Sequence, residues 1–140
     1  MSIVLTTVLI AGLLTASNSV EKNTEAEIEC LAKNIYYEAP DEPYEGKLAV
    51  ATVTMNRLAN AYYPKTVCGV VYQPYQFSWT IKTYTIRQMA IYNAAKRIAR
   101  QVILENKRLE SIKNSMFFHN TTVRPKWSFS MVAIRHIGGH

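Results

Sequence analysis

Charge is absent from the first 20 residues, and glycine, proline and cysteine are scarce along the whole chain, with 5, 5 and 2 copies in 140 residues. So few glycines, beside 49% hydrophobic and 19% charged residues, exclude a fibrous or disordered polymer. Neither an internal repeat nor a low-complexity linker divides the sequence. The roughly 120 residues after the charge-free stretch suit a single domain with a modest core. Two cysteines without a second pair argue against a structural zinc site built on thiolates. The common DNA- and RNA-binding modules are missing too, so the formal charge of +6 is not read as a nucleic-acid footprint. Lys96, Arg97, Arg100, Lys107 and Arg108 read instead as the solvated outer face of a helix.

Within the charge-free stretch, Ile3 to Leu14 is apolar apart from two threonines and a glycine. That run falls short of the ~20 residues a spanning helix needs, and the small residues Thr15 to Ser19 offer a cleavage site. Residues 1–20 are therefore expected to be a signal peptide or a weak N-terminal anchor, with the fold confined to residues 21–140. Such a leader implies export to the periplasm, wall or medium, with membrane contact only if it stays uncleaved. In an oxidising compartment Cys30 and Cys68 have one possible pairing, the alternative being two independent buried thiols.

Organisation centres on Ile35 to Gly46. Thr24 and Glu27 have capping-box spacing, which predicts a helix starting there with Ile28, Leu31 and Ile35 on its inner face. Glu38 extends that apolar stripe, and Pro40 and Pro43 prevent the helix from continuing. A carboxyl group in that position has apolar neighbours and sits beside a break in the backbone. Its pKa is expected to rise toward the range useful for donating a proton. An ordinary surface acid at a helix end is the alternative. A second helix is predicted over Glu45 to Asn60, with Leu48, Ala49, Thr52, Met55 and Leu58 inward and Glu45 placed to suit the helix dipole.

The run Tyr36-Tyr37-Glu38-Ala39-Pro40-Asp41-Glu42-Pro43-Tyr44-Glu45-Gly46, continuing through Ala49-Val50-Ala51 to Asn56-Arg57, resembles the motif of the SleB/CwlJ-type cell wall hydrolase family. Further blocks of resemblance are Tyr63 to Tyr72, Gln76-Phe77-Ser78-Trp79, Phe117 to Asn120, Pro125-Lys126-Trp127 and Ile137 to His140. They cover the chain from Cys30 to its last residue. Pro40-Asp41 replaces the family's usual Arg-Gly, which changes the loop. The resemblance implies a mainly α, lysozyme-like domain that cleaves peptidoglycan glycan strands, with Glu38 as catalytic acid. Asn56 and Arg57 match the motif but are read as structural. Bacterial wall polymers are acidic, so the positive charge would draw the protein to them.

Sugar rings offer apolar faces beside hydroxyl edges, and a site for them needs flat aromatic surface with a few polar groups. Gln76, Phe77, Ser78 and Trp79 are therefore candidate substrate contacts, together with Tyr36 and His119. A short helix is predicted from Pro64 to Val71, the longest one over Thr85 to Ile103, and a last segment near Trp127 to Ile134. In the long helix Ile86, Met89, Ala90, Ala94, Ile98, Ala99 and Val102 or Ile103 are placed inward. Asn106 to Asn114 reads as a solvated connection. Met116 to Asn120 is ambiguous between strand and extended loop, which leaves α+β open. His119, His136 and His140 raise a metal hypothesis, but no HExxH glutamate accompanies them and glycines interrupt the last pair. No metal or cofactor is called for. A lytic transglycosylase is the favoured chemistry; a muramidase-type hydrolase, a zinc amidase and a non-catalytic wall-binding protein are the alternatives.

Overall fold

From Leu13 to Ala39 the chain contains neither glycine nor proline, and nothing in that span interrupts a helix. The computed structural model describes residues 8–140, with side chains from Thr15 onward, and its first helix, α1, runs Val8–Glu38. The predicted start at Thr24 is wrong: Thr24 lies inside α1, and its hydroxyl donates to the Val20 carbonyl at 3.0 Å. Glu27, the other half of the expected capping box, accepts from the Cys68 backbone N–H at 2.9 Å. The leader expectation falls partly on residues 1–7, which lie outside the described residues. No helix among the described residues is long and apolar enough to cross a membrane.

Helix α1 buries Ile28, Leu31, Ala32, Ile35 and Tyr36, and Ala39 just past its end continues the 3- and 4-residue spacing of that face. Pro40 and Pro43 turn the chain, and α2 spans Tyr44–Ala59 with Pro43 at its N-cap. Leu48 and every residue from Val50 to Thr54 are buried, so α2 has no solvated side at its centre. The expected stripe was too narrow, since Ala49, Met55 and Leu58 are only half-buried. The reason is position: α1, the helices Val67–Val71 and Met89–Leu104, and the turn at Glu110–Ile112 all pack on α2. Its buried threonines stay satisfied by donating back to the Leu48 and Val50 carbonyls at 2.8 and 3.0 Å.

Helix α3, Val67–Val71, starts later than predicted because Thr66 caps it, its hydroxyl accepting from the Gly69 N–H at 3.0 Å. Helix α4 spans Met89–Leu104 and buries Tyr92, Ala95, Ile98, Ala99 and Val102. Met89 and Ala90, expected inward, are exposed, and with 16 residues against 31 this helix is shorter than α1. The basic face of α4 is not simply solvated. Lys96 bridges Glu25 and Glu29 of α1 at 2.8 and 3.0 Å, and Arg100 reaches Glu25 at 2.7 Å.

Beyond α4 the structure is irregular. Arg108 lies past the helix end and donates to the Val102 carbonyl at 2.8 Å. The supposedly solvated connection holds a 3-10 turn, Glu110–Ile112, with Ile112 buried in the core. Met116 to Asn120 is extended, and no strand forms among the described residues. The predicted last helix shrinks to a 3-10 turn, Lys126–Ser130, followed by an extended tail.

A disulfide joins Cys30 of α1 to Cys68 of α3, with 5.2 Å between their Cα atoms. It closes an interval of 38 residues, for which the chain-entropy model gives a stabilisation of ~4 kcal/mol. Cys30→Ser combined with Cys68→Ser should lower the unfolding free energy by about that amount in urea titration, and reductant should do the same to the wild type.

Candidate active site

Glu38 is the last residue of α1, and the loop after it is built to keep it there. Ala39 N–H still bonds the Ile35 carbonyl at 3.0 Å, and the chain then turns. The ammonium of Lys47, nearly buried in α2, donates back to the Pro40 carbonyl at 3.0 Å and to the Glu42 carbonyl. A cation thus ties the turn to the helix that follows it.

The Glu38 side chain is half-buried, and among the described residues neither a hydrogen bond nor an ion pair holds its carboxylate. Burial raises its pKa above the ordinary carboxylate value, and the guanidinium of Arg57 opposes that rise without cancelling it. This agrees with the expected direction. Arg57 is 5% exposed and caged by the rings of Tyr63, Phe77 and Phe117, each 5.4 to 5.8 Å from its Cζ. Its Nε donates to the Met116 carbonyl at 2.8 Å, while Nη1 is buried without a hydrogen-bond partner among the described residues. Asn56 secures the same segment, donating to the Ile112 and Ser115 carbonyls at 3.1 and 2.8 Å.

The neighbouring acids are committed elsewhere. Glu42 accepts from the Gly139 N–H at 2.8 Å and faces His140 Nδ1 at 3.3 Å. Gly138 fits there because its φ of +55° favours glycine and because a Cβ would lie 1.7 Å from a Glu42 carboxylate oxygen. Glu45, in the first turn of α2, pairs with Arg135 at 2.6 Å. Both carboxylates hold the tail.

Two cavities flank this region. One, of about 430 Å³, is walled by Tyr37, Tyr72, Trp79 and Tyr84 with Lys33 and Lys82. The other, of about 700 Å³, lies between the α2 face of Gly46, Val50 and Val53 and the segments bearing Phe117, His119 and Trp127. Glu38 lines neither, but Tyr37 beside it walls the first, and Phe117 against its partner Arg57 walls the second.

Of the predicted contacts, Trp79 packs on Tyr37, the residue before Glu38: its ring stacks on Tyr37 at 4.7 Å, and its Nε1 donates to Asn34 Oδ1 at 3.1 Å. Ser78 is exposed and Gln76 half-buried in the same segment. Tyr36 and Phe77 belong to the scaffold. Tyr36 is 9% exposed, and its hydroxyl accepts from the Arg87 and Gln88 N–H groups at the start of α4. Phe77 is 4% exposed, packed on Arg57 and Phe118. His119 stands apart from Trp79, beside Trp127 in the larger cavity. His136 is exposed, and His140 belongs to the Glu42 contact. Among the described residues no group of three or more His, Cys, Asp or Glu side chains is placed to hold a metal.

Tyr37 and Asn34 were missed. Tyr37 was legible, because it follows Lys33 by four residues on the half-buried side of α1, whereas Tyr36 follows Ile28 and Ala32 on the core side. Asn34 is wholly buried and also donates to Thr54 at 3.2 Å. No local pattern marks it.

The scaffold is helical, with a desolvated glutamate at a helix end and two aromatic-walled cavities nearby that the glutamate itself does not line. The chain belongs to the cell wall hydrolase family, whose model matches residues 41–140. It is 32% identical over 116 residues to the spore cortex-lytic enzyme of Bacillus subtilis (strain 168), which covers 81% of this chain and 36% of that protein. With the spore cortex-lytic enzyme of Halalkalibacterium halodurans the identity is 30% over 132 residues, 93% of this chain and 38% of the relative. The chain thus spans little more than a third of the length of these relatives. The catalytic domain of Bacillus cereus SleB superposes with a TM-score of 0.65 at 27% identity, over 83% of this chain and 88% of that one. The catalytic domain of the germination-specific lytic transglycosylase SleB from Bacillus anthracis gives 0.64 at 28%, over 81% and 89%. The fold is therefore the mainly helical, lysozyme-like one that was expected.

The direction of the Glu38 shift sets a stability test. With a folded pKa above the unfolded one, the favourable contribution is present at low pH and is lost as pH rises through the folded value. Glu38→Gln should therefore melt above the wild type at about pH 8, with the gap narrowing toward about pH 3, below the unfolded-state pKa, where both states of the wild type hold the proton. A carboxyl-carbon NMR titration of Arg57→Met should show the Glu38 midpoint moving upward, since the opposing cation is gone.

Proposed function

We propose that this chain is a lytic transglycosylase that cuts the β-1,4 bond between N-acetylmuramic acid and N-acetylglucosamine in peptidoglycan. The observation that carries the reading is the division of labour among the carboxylates. Glu38 is desolvated and uncommitted, whereas Glu42 and Glu45 are engaged with the tail and Asp41 is exposed in the turn. A hydrolase of the usual two-carboxylate type needs a second acid about 5 to 9.5 Å from the first. The single-acid route does not.

In that route the protonated Glu38 donates to the glycosidic oxygen, and the bond to the muramic C1 breaks as positive charge develops there. The N-acetylglucosamine side leaves with the proton. Glu38, now ionised, takes the proton of the muramic C6 hydroxyl, whose oxygen closes on C1 to form the 1,6-anhydro ring. The glutamate ends protonated again, and water is not consumed. Burial favours the neutral acid at the start, and the nearby Arg57 cation favours the carboxylate midway. Opposed influences of this kind suit a group that must act first as acid and then as base.

Support from relatives is of the same kind: proteins similar to this chain are named as spore cortex-lytic enzymes and a lytic transglycosylase. The substrate we assign is the glycan strand, bound over the Tyr37–Trp79 stack, and the place of action is the wall outside the membrane. Residues 1–20 serve as the export leader in this reading, consistent with a disulfide between Cys30 and Cys68.

Mass spectrometry of soluble fragments from purified peptidoglycan tests the reaction. The wild type should release anhydro-muropeptides, and Glu38→Gln should reduce their rate of appearance by about 100-fold or more. Reducing-end products would require water and a second carboxylate. Stem peptides released equally by both proteins would overturn glycan cleavage altogether.

A further inference from the structure

The smaller cavity holds more than the apolar surface a sugar ring needs. Tyr37 and Trp79 form its stacked wall, and Tyr84 and Tyr72 stand 5.8 Å from Tyr37 and 5.6 Å from Trp79 respectively. The polar ends of the stacked pair are already used. Tyr37 donates its hydroxyl to the Tyr84 carbonyl at 3.1 Å, and Trp79 donates its indole N–H to Asn34. These two rings therefore offer the cavity apolar surface, and strong polar recognition must come from other groups. Lys33, one turn before Tyr37 on α1, and Lys82, just after the Ser78–Ile81 turn, also line it. Among the described residues neither ammonium has a hydrogen-bond or ion-pair partner, unlike Lys96, Lys47 and Lys65 elsewhere. No acidic residue lines the cavity.

An aromatic recess with two uncompensated cations and no acid selects an anionic ligand with an apolar body. We propose that this cavity is a recognition site for a carboxylate carried by the glycan strand on its lactyl branches, with Lys33 and Lys82 as the groups that read the charge. The site rests on the glycan-cleaving assignment, and it deepens that assignment by making the side branch part of what is recognised. The carboxylate has two possible sources on such a strand, the peptide stem or the lactyl group left bare when the stem is removed. Both present a carboxylate on the branch at muramic acid.

Titration calorimetry with intact protein separates these sources; every protein titrated, the lysine variants and their parent alike, carries Glu38→Gln so that no strand is cleaved during the measurement. Three ligands are used: soluble strands bearing peptide stems, strands stripped of stems so that each lactyl carboxylate is free, and stripped strands with those carboxylates amidated. The parent should bind a carboxylate-bearing strand roughly five-fold or more tightly than the amidated one, with the difference fading in high salt. The tighter of the first two ligands identifies the source. Lys33→Gln with Lys82→Gln should abolish the preference while leaving affinity for the amidated strand unchanged. Lys113→Gln with Lys126→Gln, which removes the same charge outside this cavity, should retain it. Equal binding of all three ligands by the parent, or equal loss in the two double variants, would overturn the site. Charge-selective binding by the parent, without release of any glycan fragment by the protein that retains Glu38, would instead overturn the transglycosylase reading and leave the recognition site standing.

Discussion

The turn between α1 and α2 is the constraint on which the rest of the molecule depends. Two prolines force the chain out of its first helix, and the nearly buried Lys47 ammonium gathers the carbonyls of Pro40 and Glu42 so that the next helix can start at once. Its hydrogen bonds pair carbonyls of the turn that lie beyond the end of α1. Because the turn is short and held, Glu38 stays at a helix end against the core and is not drawn into solvent. Because Glu42 lies within it, the same turn also receives the tail through Gly139 and His140.

Around that turn the structure separates aromatic surface, charge control and support. Tyr37 and Trp79 supply flat surface, with orientations fixed by bonds to Tyr84 and to the buried Asn34. Arg57 is held by rings and by one backbone carbonyl, close enough to influence Glu38 electrostatically without forming an ion pair with it. A direct ion pair would favour the ionised form and oppose proton donation. A more distant cation moderates the effect of burial, which suits the acid-then-base role proposed for Glu38.

The support is distributed over sequence-distant pieces. The disulfide fixes α3 to α1, Glu27 caps the same junction, and Lys96 and Arg100 clamp α4 to α1 through Glu25 and Glu29. These ion pairs are partly exposed, so each contributes little by itself. They do give a defined contact to basic residues that would otherwise form a solvated face.

Local chemistry in the sequence determined the helical class, the end of the first helix at Glu38, the break after it and the one available cysteine pairing. Each follows from short-range rules of periodicity, proline geometry or composition, and the motif from Tyr36 to Arg57 fixed the family. Helix starts were less legible, since Thr24 and Glu27 satisfy a capping pattern that a longer helix absorbs. Residue placement around α2 was decided only by tertiary structure, because a helix packed by several partners loses the one-sided stripe from which inward residues are read. The same holds for Asn34 on Thr54, for Arg57 on Met116 and for the hold of Glu42 on the tail, each joining residues at least 20 positions apart. Their contacts exist only once helices have packed, and no spacing in the chain encodes them.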